Sequence, residues 1–435
     1  MSDSSPAQVD PGRRPPRRAA ILFIFVTVML DLLAIGMVIP VLPQLIRQVG
    51  RLSEKDLILT VGWFGTVWAT MQLLASPVQG ALSDRFGRRP VILASNLGMG
   101  FNYLMMAVAP GLGWLWAGRI ISGICAGSIP AAMAYLADVT PPEKRAASFG
   151  MMGAAINLGF ALGPALGGLL GAWGPRAPFW AAAALSLLNF LYGLFVLPES
   201  LPRDRRAPLD IWRLNPIGAL YGLLKTYPAL GSLLGVSFLL TLAQLGPTNV
   251  FVLYTQHRFS WGPANIGLLM SAAGFAGMVV QAGLVPVVIK WVSERTALLA
   301  GGALQVVGLM IFALADTGAK FWLAVPVTAI AAVAGPAWSA IMSRSVGANE
   351  QGRLAGATSS LNSLSYILGP LLFTGAYSAA VAHRRGLPIG APFLMAAGIM
   401  VIALALAAWV TGRPQFRQAA AAAAQSPFRR SATGP

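Results

Sequence analysis

The sequence predicts an all-α membrane protein whose twelve transmembrane helices form two six-helix bundles. Hydrophobic residues make up 56% of the 435 and charged ones 10%, against about 45–50% and about 25% in soluble chains. Long apolar stretches recur along the chain, and basic residues gather in every second gap between them. A bilayer span takes about 20 apolar residues. Twelve spans therefore use roughly 240 and leave roughly 195 for connections and tails.

The stretches lie at 19–45, 57–80, 91–110, 114–138, 149–172, 178–198, 229–255, 264–288, 297–316, 321–342, 355–381 and 388–411. The first follows Arg13, Arg14, Arg17 and Arg18. At about 27 residues it exceeds the h-region of a secretory signal and is expected to be retained. An even number of spans puts both termini on one side. Taking that side as cytoplasmic, 22 Lys and Arg fall inside and 8 outside, the bias that orients multi-pass proteins of the bacterial inner membrane. The expected segments are a cytoplasmic start (1–18), an N-terminal bundle (19–198), a cytoplasmic linker (199–226), a C-terminal bundle (227–411) and a disordered cytoplasmic tail (412–435).

The net charge of +17 follows from the same bias. Basic residues sit in small groups between apolar runs and build no aromatic–basic face, so no nucleic-acid partner is expected. The lipid bilayer is the expected surrounding, and the chain is expected to act as a monomer. Cys125 is the single cysteine, and His257 and His383 are the two histidines, which leaves no disulfide framework and no metal site. No phosphate loop of the GxxxxGK[ST] type occurs, so nucleotide is not expected to drive the protein and no cofactor is implied. Neither a Ser–His arrangement nor a carboxylate pair supports hydrolysis, so an enzyme is not expected.

Among 14 acidic residues, Asp31 alone lies deep in a span. Thirteen residues from Arg18, it sits about 20 Å from the flank by helical rise. A charge there costs at least about 2.5–3.5 kcal/mol. A water-filled cavity, a cationic partner or a retained proton each relieves that cost, and all three suit a proton or cation site. Arg119, in WLWAGRIISG, is the single intramembrane base. Asp31 is the deep carboxylate available to it; snorkelling to the nearer interface is the alternative.

QGALSDRFGRRPVIL joins the second and third stretches. Gly80 allows close helix approach, Gly87 a tight turn, and Asp84 can accept from a helix N-terminus. Arg85, Arg88 and Arg89 supply cations able to clamp Asp138, which ends the fourth stretch in ADVTPPEKR; Arg145 closes that loop. In the fifth stretch Gly159, Gly163, Gly167 and Gly168 surround Pro164. Small residues at that spacing let backbones touch; a bend controlling a cavity is the other reading. Uncharged polar residues at depth are Gln72, Asn102, Asn157, Gln244, Asn249, Gln281, Gln305 and Asn362, with Trp338 and Tyr366 as aromatic partners. Singly they serve helix–helix hydrogen bonds. Together they suit an amphipathic small-molecule substrate.

The halves echo each other. Gly163-Pro164 in INLGFALGPALGG and Gly369-Pro370 in NSLSYILGPLLFTG are 206 residues apart, the offset that carries Arg89 onto Arg295. Elsewhere the echo looks lost, since Asp84 falls on Lys290 and Gly87 on Ser293. Duplicated bundles around a midplane site are a transporter architecture.

GALSDRFGRRPVIL resembles the signature loop of the major facilitator superfamily, LGFALGPALGG its fifth-helix antiporter motif and GRIISGICAG its fourth-helix arginine motif. LDLLAIGMVIPVLP is similar to the first-helix motif of its drug/proton antiporters, and VLYTQHRFSW and GPLLFTGAY resemble the tetracycline-resistance efflux subgroup. The resemblance runs from about Ala20 to Gly412 and implies a rocker-switch exchanger in which a proton enters as a drug leaves. It gives Asp31 and Arg119 to proton coupling, Asp84, Arg85, Arg88 and Arg89 to the gating loop, and Gly163 and Pro164 to the antiporter bend. Gln72 and Gln281 stand where tetracycline exporters also have glutamine. Where the best-known exporters carry two acids and a histidine, this chain has Asn102, Gln305 and Gly277. That argues against tetracycline itself and for another amphipathic drug. A sugar or metabolite facilitator or symporter of the same fold is the competing reading. A membrane-embedded sensor or enzyme would need an output domain or an acid/base pair.

Overall fold

The computed structural model describes residues 18–207, 230–347, 350–382 and 388–413. Arg13, Arg14 and Arg17, the linker beyond Ala207, His383 and the tail beyond Arg413 lie outside the described residues. The first half comprises α1 (Arg18–Val38), α2 (Leu42–Gly50), α3 (Glu54–Phe86), α4 (Arg88–Ala107), α5 (Leu112–Cys125), α6 (Ser128–Val139), α7 (Arg145–Gly171) and α8 (Ala177–Val196). The second comprises α9 (Leu230–Phe259), α10 (Pro263–Val279), α11 (Val285–Trp291), α12 (Glu294–Leu314), α13 (Gly318–Trp322), α14 (Ala324–Ala331), α15 (Ala334–Arg344), α16 (Gln351–Ala382) and α17 (Ala391–Gly412).

Eleven helical segments among the described residues are long and apolar enough to cross a bilayer. The third predicted span, α4, is helical over 20 residues but falls outside that set. Arg88, Arg89, Asn96 and Asn102 lower its hydropathy. Four predicted stretches are not the uninterrupted helices expected. The first ends at Val38 and resumes at Leu42, because Pro40 and Pro43 remove backbone donors there. The fourth breaks between Cys125 and Ser128, the eighth passes through a π turn at Val280–Leu284, and the tenth is divided among α13, α14 and α15.

Helix starts follow local chemistry. Ser53 accepts from the Asp56 N–H at 3.2 Å at the head of α3, and Ser293 accepts from the Thr296 N–H at 3.2 Å at the head of α12. Each satisfies a donor the helix leaves open and is followed by an acid in the first turn, which complements the helix dipole.

The apolar core shows how the halves meet. One cluster crosses between them, joining Leu45, Ile58 and Phe64 to Tyr254, Phe321 and Phe393. At the opposite end the clusters are separate: Phe23, Ile92 and Tyr135 in the first half, Leu233, Val285 and Trp338 in the second. The molecule is sealed at the end bearing α2 and divided at the end bearing the Asp84 loop.

Candidate functional site

Asp31 is buried on α1 at 9% exposure. Asn189 of α8 donates to its Oδ1 at 3.4 Å, while Oδ2 has no partner. Asn189 is held in turn by Thr27, whose hydroxyl donates to its Oδ1 at 3.1 Å. The carboxyl thus has neutral company. Arg119 on α5 is half-buried, and among the described residues it forms no ion pair with Asp31. Its guanidinium lies 5.9 Å from the centre of the Phe64 ring, and its Nε is unpartnered. The expected pairing is therefore replaced by a cation–π contact. Tyr103, buried on α4, is within electrostatic reach of both. Sequence reasoning missed Asn189 and Tyr103; the signal for Asn189 was a lone amide in FWAAAALSLLNFLYGL.

Gly87 separates α3 from α4 with φ of 107°, a backbone region that excludes most side chains. The turn delivers Arg88 to two acids: Nη1 lies 2.6 Å from Asp84 Oδ1 and Nε 3.2 Å from Asp138 Oδ2. Arg89 donates to Leu194 O at 2.7 Å. Arg145 donates to Ala137 O at 3.2 Å and Thr140 O at 3.4 Å, capping the carbonyls at the end of α6. Arg85 reaches outward over Phe86. Two expectations are corrected. Gly80 faces open space rather than a neighbouring helix. The N-terminus of α4 is met by Glu199 rather than Asp84: the Arg88 N–H donates to Glu199 Oε1 at 2.9 Å. The sequence reading placed Glu199 in the linker without a role.

The second half repeats this arrangement with its charges exchanged. Glu294 pairs with Arg344 at 2.7 Å, and these positions stand 206 residues beyond Arg88 and Asp138. Ser293 takes the capping place of Gly87, and Arg295 donates to Ala408 O at 3.1 Å as Arg89 does to Leu194. The echo that looked lost in residue types survives in geometry, because an ion pair works with either polarity. Arg344→Glu should therefore lower the thermal midpoint, and adding Glu294→Arg should restore most of the loss, about 1 kcal/mol for a part-exposed pair. A double-mutant cycle by thermal unfolding reads that coupling; additive losses would remove it.

The glycines of α7 divide between two faces. Gly159, Gly163 and Gly167 pack on α1, where a β-carbon on Gly163 would lie 2.7 Å from Leu33 O and one on Gly167 would collide with the Met37 backbone. Gly168 faces the other half, where a β-carbon would lie 2.5 Å from Pro263 O. Gly267 of α10 is pressed in the same way on Pro164 O, and Gly62 of α3 faces Pro370 O, with 3.2 Å to its β-carbon position. Both Gly-Pro pairs thus lie at crossings where a partner glycine admits backbone contact. Hydrogen bonds join the same crossings: the Ala165 N–H donates to Ser271 Oγ at 2.8 Å, and Thr66 Oγ1 donates to Ile367 O at 2.7 Å. α7 runs unbroken through Pro164.

Comparison with known families matches residues 24–370 to the Major Facilitator Superfamily. The chain belongs to this superfamily. It is 39% identical over 371 residues to the tetracycline resistance protein, class C, of Escherichia coli, covering 85% of this chain and 92% of that one. It is 28% identical over 380 residues to multidrug resistance protein 2 of Bacillus subtilis (strain 168), covering 86% and 90%. The crystal structure of the human organic anion transporter MFSD10 (TETRAN) superposes with a TM-score of 0.68 at 24% identity, covering 91% of this chain and 100% of that one; this likeness concerns the fold.

Within this facilitator fold a cavity of about 310 Å³ lies where α7, α10 and α14 meet. Gln281 lines it, its Oε1 accepting from Asn157 Nδ2 of the other half at 3.3 Å. Phe160, Pro164, Met270 and Gly277 supply apolar and aromatic surface. The other expected binding residues are elsewhere. Asn102 is buried against Gly118 of α5. Trp338 is buried within the second half, donating to Ser237 Oγ at 2.6 Å. Asn362 accepts from Thr241 at 3.0 Å, and Asn249 donates to Leu245 O at 3.2 Å. Gln244 is exposed, and Gln72 and Gln305 are half-buried. Of these amides Asn362 joins two helices, Asn249 bonds back within its own helix, and Asn102 Oδ1 is buried without a partner, a costly arrangement for a polar group.

Proposed function

We propose that this facilitator is a proton-coupled antiporter that exports an amphipathic drug by rocker-switch alternating access. The observation that carries the reading is Asp31: a deep carboxyl with neutral partners and one unpartnered oxygen. Its hold on a proton changes whenever water gains or loses access. Likeness to tetracycline and multidrug resistance proteins supports drug as cargo, and the apolar, amide-edged cavity beside Gln281 supports an amphipathic one. With 22 basic residues assigned inside and 8 outside, the Asp84 loop is cytoplasmic. The chain sits in the bacterial inner membrane with both termini in the cytoplasm, and the conformation described is open inward. Opening outward requires the α3–α16 and α7–α10 crossings to part. The Arg88–Asp138 and Glu294–Arg344 pairs brace the helix ends that then approach. No cofactor or metal enters the cycle, and a monomer suffices for it.

Drug added to proteoliposomes carrying an internal pH dye tests the proposal. Expected is drug-triggered proton movement that saturates with drug and is blocked by collapsing the gradient. Drug uptake with no proton movement would defeat coupling; movement driven by sugars rather than drugs would favour a metabolite symporter. Growth assays of a pump-deficient bacterium expressing the chain, with tetracycline among the compounds, decide whether tetracycline is cargo.

A further inference from the structure

His257 and Glu54 meet across the sealed end, outside everything assigned to Asp31, the cavity or the Asp84 loop. His257 Nδ1 and Glu54 Oε1 lie 2.6 Å apart. Glu54 opens α3 in the first half, and His257 belongs to the last turn of α9 in the second. Both places favour the charged forms: an acid is stabilised at a helix N-terminus and an imidazolium at a C-terminus. A cavity of about 100 Å³ adjoins the pair, lined by Arg47, Ile58, Gln256 and Tyr377 as well. Side chains 31% and 48% exposed leave both groups open to bulk protons.

We propose that His257 is a pH-sensing strut that holds the two halves together at this end when protonated and lets them part when neutral. Imidazole is the side chain that changes charge across pH 5–8. Protonated, it gives Glu54 an ion pair across the seam; neutral, it leaves an N–H to carboxylate hydrogen bond without the attraction of opposite charges. The state sealed at this end thereby gains weight as the facing compartment acidifies. The titratable and charged groups around His257 are Glu54 from α3, Arg47 from α2 and Tyr377 from α16. Arg258, on the same helix as His257, donates to Ala315 O at 3.4 Å, and Asp56, two residues beyond Glu54, accepts from Ser53 at 2.6 Å. Asp316, also at this end, is held below the usual carboxylate range by its hydrogen bond to Lys320, so it stays ionised and supplies no switch. An exposed ion pair with a favourable helix terminus is worth about 1 kcal/mol. The sealed-to-open ratio should then change about fivefold between pH 5.5 and pH 8.

The test places a donor and an acceptor fluorophore on Lys55→Cys and Ala319→Cys, in the full chain carrying Cys125→Ser, reconstituted in nanodiscs. Expected is a short-distance population that falls about fivefold in ratio from pH 5.5 to pH 8. In the Asp31→Asn background, where the coupling carboxyl cannot titrate, His257→Gln and Glu54→Gln should each show the low, pH-independent ratio, and His257→Arg the high ratio at both pH values. Asp31→Asn should keep the pH response, which separates this strut from the coupling site. In that Asp31→Asn background, a distribution indifferent to pH, or a response that survives His257→Gln, overturns the proposal. Thermal unfolding of each variant checks that the fold is retained, and the opposite behaviour expected of His257→Gln and His257→Arg keeps the test decisive if one of them is unstable.

Discussion

Asp31→Asn is expected to abolish net drug accumulation while leaving the protein folded. The amide keeps an oxygen that accepts from Asn189 and matches the carboxyl in shape, so the thermal midpoint should hardly move. What it loses is the ability to bind and release a proton. One charge falling through 100 mV supplies about 2.3 kcal/mol, enough for about a 50-fold concentration ratio of a neutral drug. In the variant that ratio should collapse to about one, whereas drug-for-drug exchange should persist because it needs no net proton movement. Accumulation in proteoliposomes with an imposed potential measures the first, and labelled-drug exchange at zero potential measures the second. Wild-type accumulation by the variant would remove Asp31 from coupling.

Gly167→Ala and Gly168→Ala should differ in kind although they are neighbours on α7. A β-carbon on Gly167 collides with the Met37 backbone of α1, inside the first half. That helix has to shift, and overpacking of this sort costs about 1–3 kcal/mol. The loss should appear as a lower thermal midpoint. A β-carbon on Gly168 meets Pro263 O across the seam. That contact exists when this end is sealed, so the cost falls on one conformation rather than on the bundle. The same 1–3 kcal/mol then shifts the sealed-to-open ratio by about 5- to 150-fold, read by the fluorophore pair described above, with little change in the first half's stability. Equal thermal losses and no conformational shift would contradict this division of the helix.

Much of the architecture was legible because the bilayer imposes a coarse rule: a span has to be apolar for about 20 residues, and gaps carry the charge. Composition alone pointed to a membrane chain rather than a soluble one. The burial of Asp31 was legible for the same reason, since nothing near it in sequence carries it to an interface. The broken first stretch was readable from Pro40 and Pro43 but outweighed by hydropathy. The facing of the candidate binding residues was not legible. Asn102 and Trp338 have the chemistry of a pocket, yet Asn102 packs against Gly118 and Trp338 bonds to Ser237. Depth in a span does not say which way a side chain faces when both its neighbours and its cargo accept hydrogen bonds.

By itself the sequence determined spans, the bias of basic residues, one deep acid and the pairing of two Gly-Pro sites. These depend on residue type and spacing along one chain. Tertiary structure decided that Arg119 stacks on Phe64 instead of pairing with Asp31, and that Glu199 meets the head of α4. It also turned Glu294 and Arg344 into the mirror of Arg88 and Asp138, and set His257 on Glu54 across the sealed end. Each of those is a contact between residues at least 50 apart in sequence, and hydrogen bonds and ion pairs are decided within about 4 Å and cation–π contacts within about 6 Å. Helix packing alone brings such groups within that range.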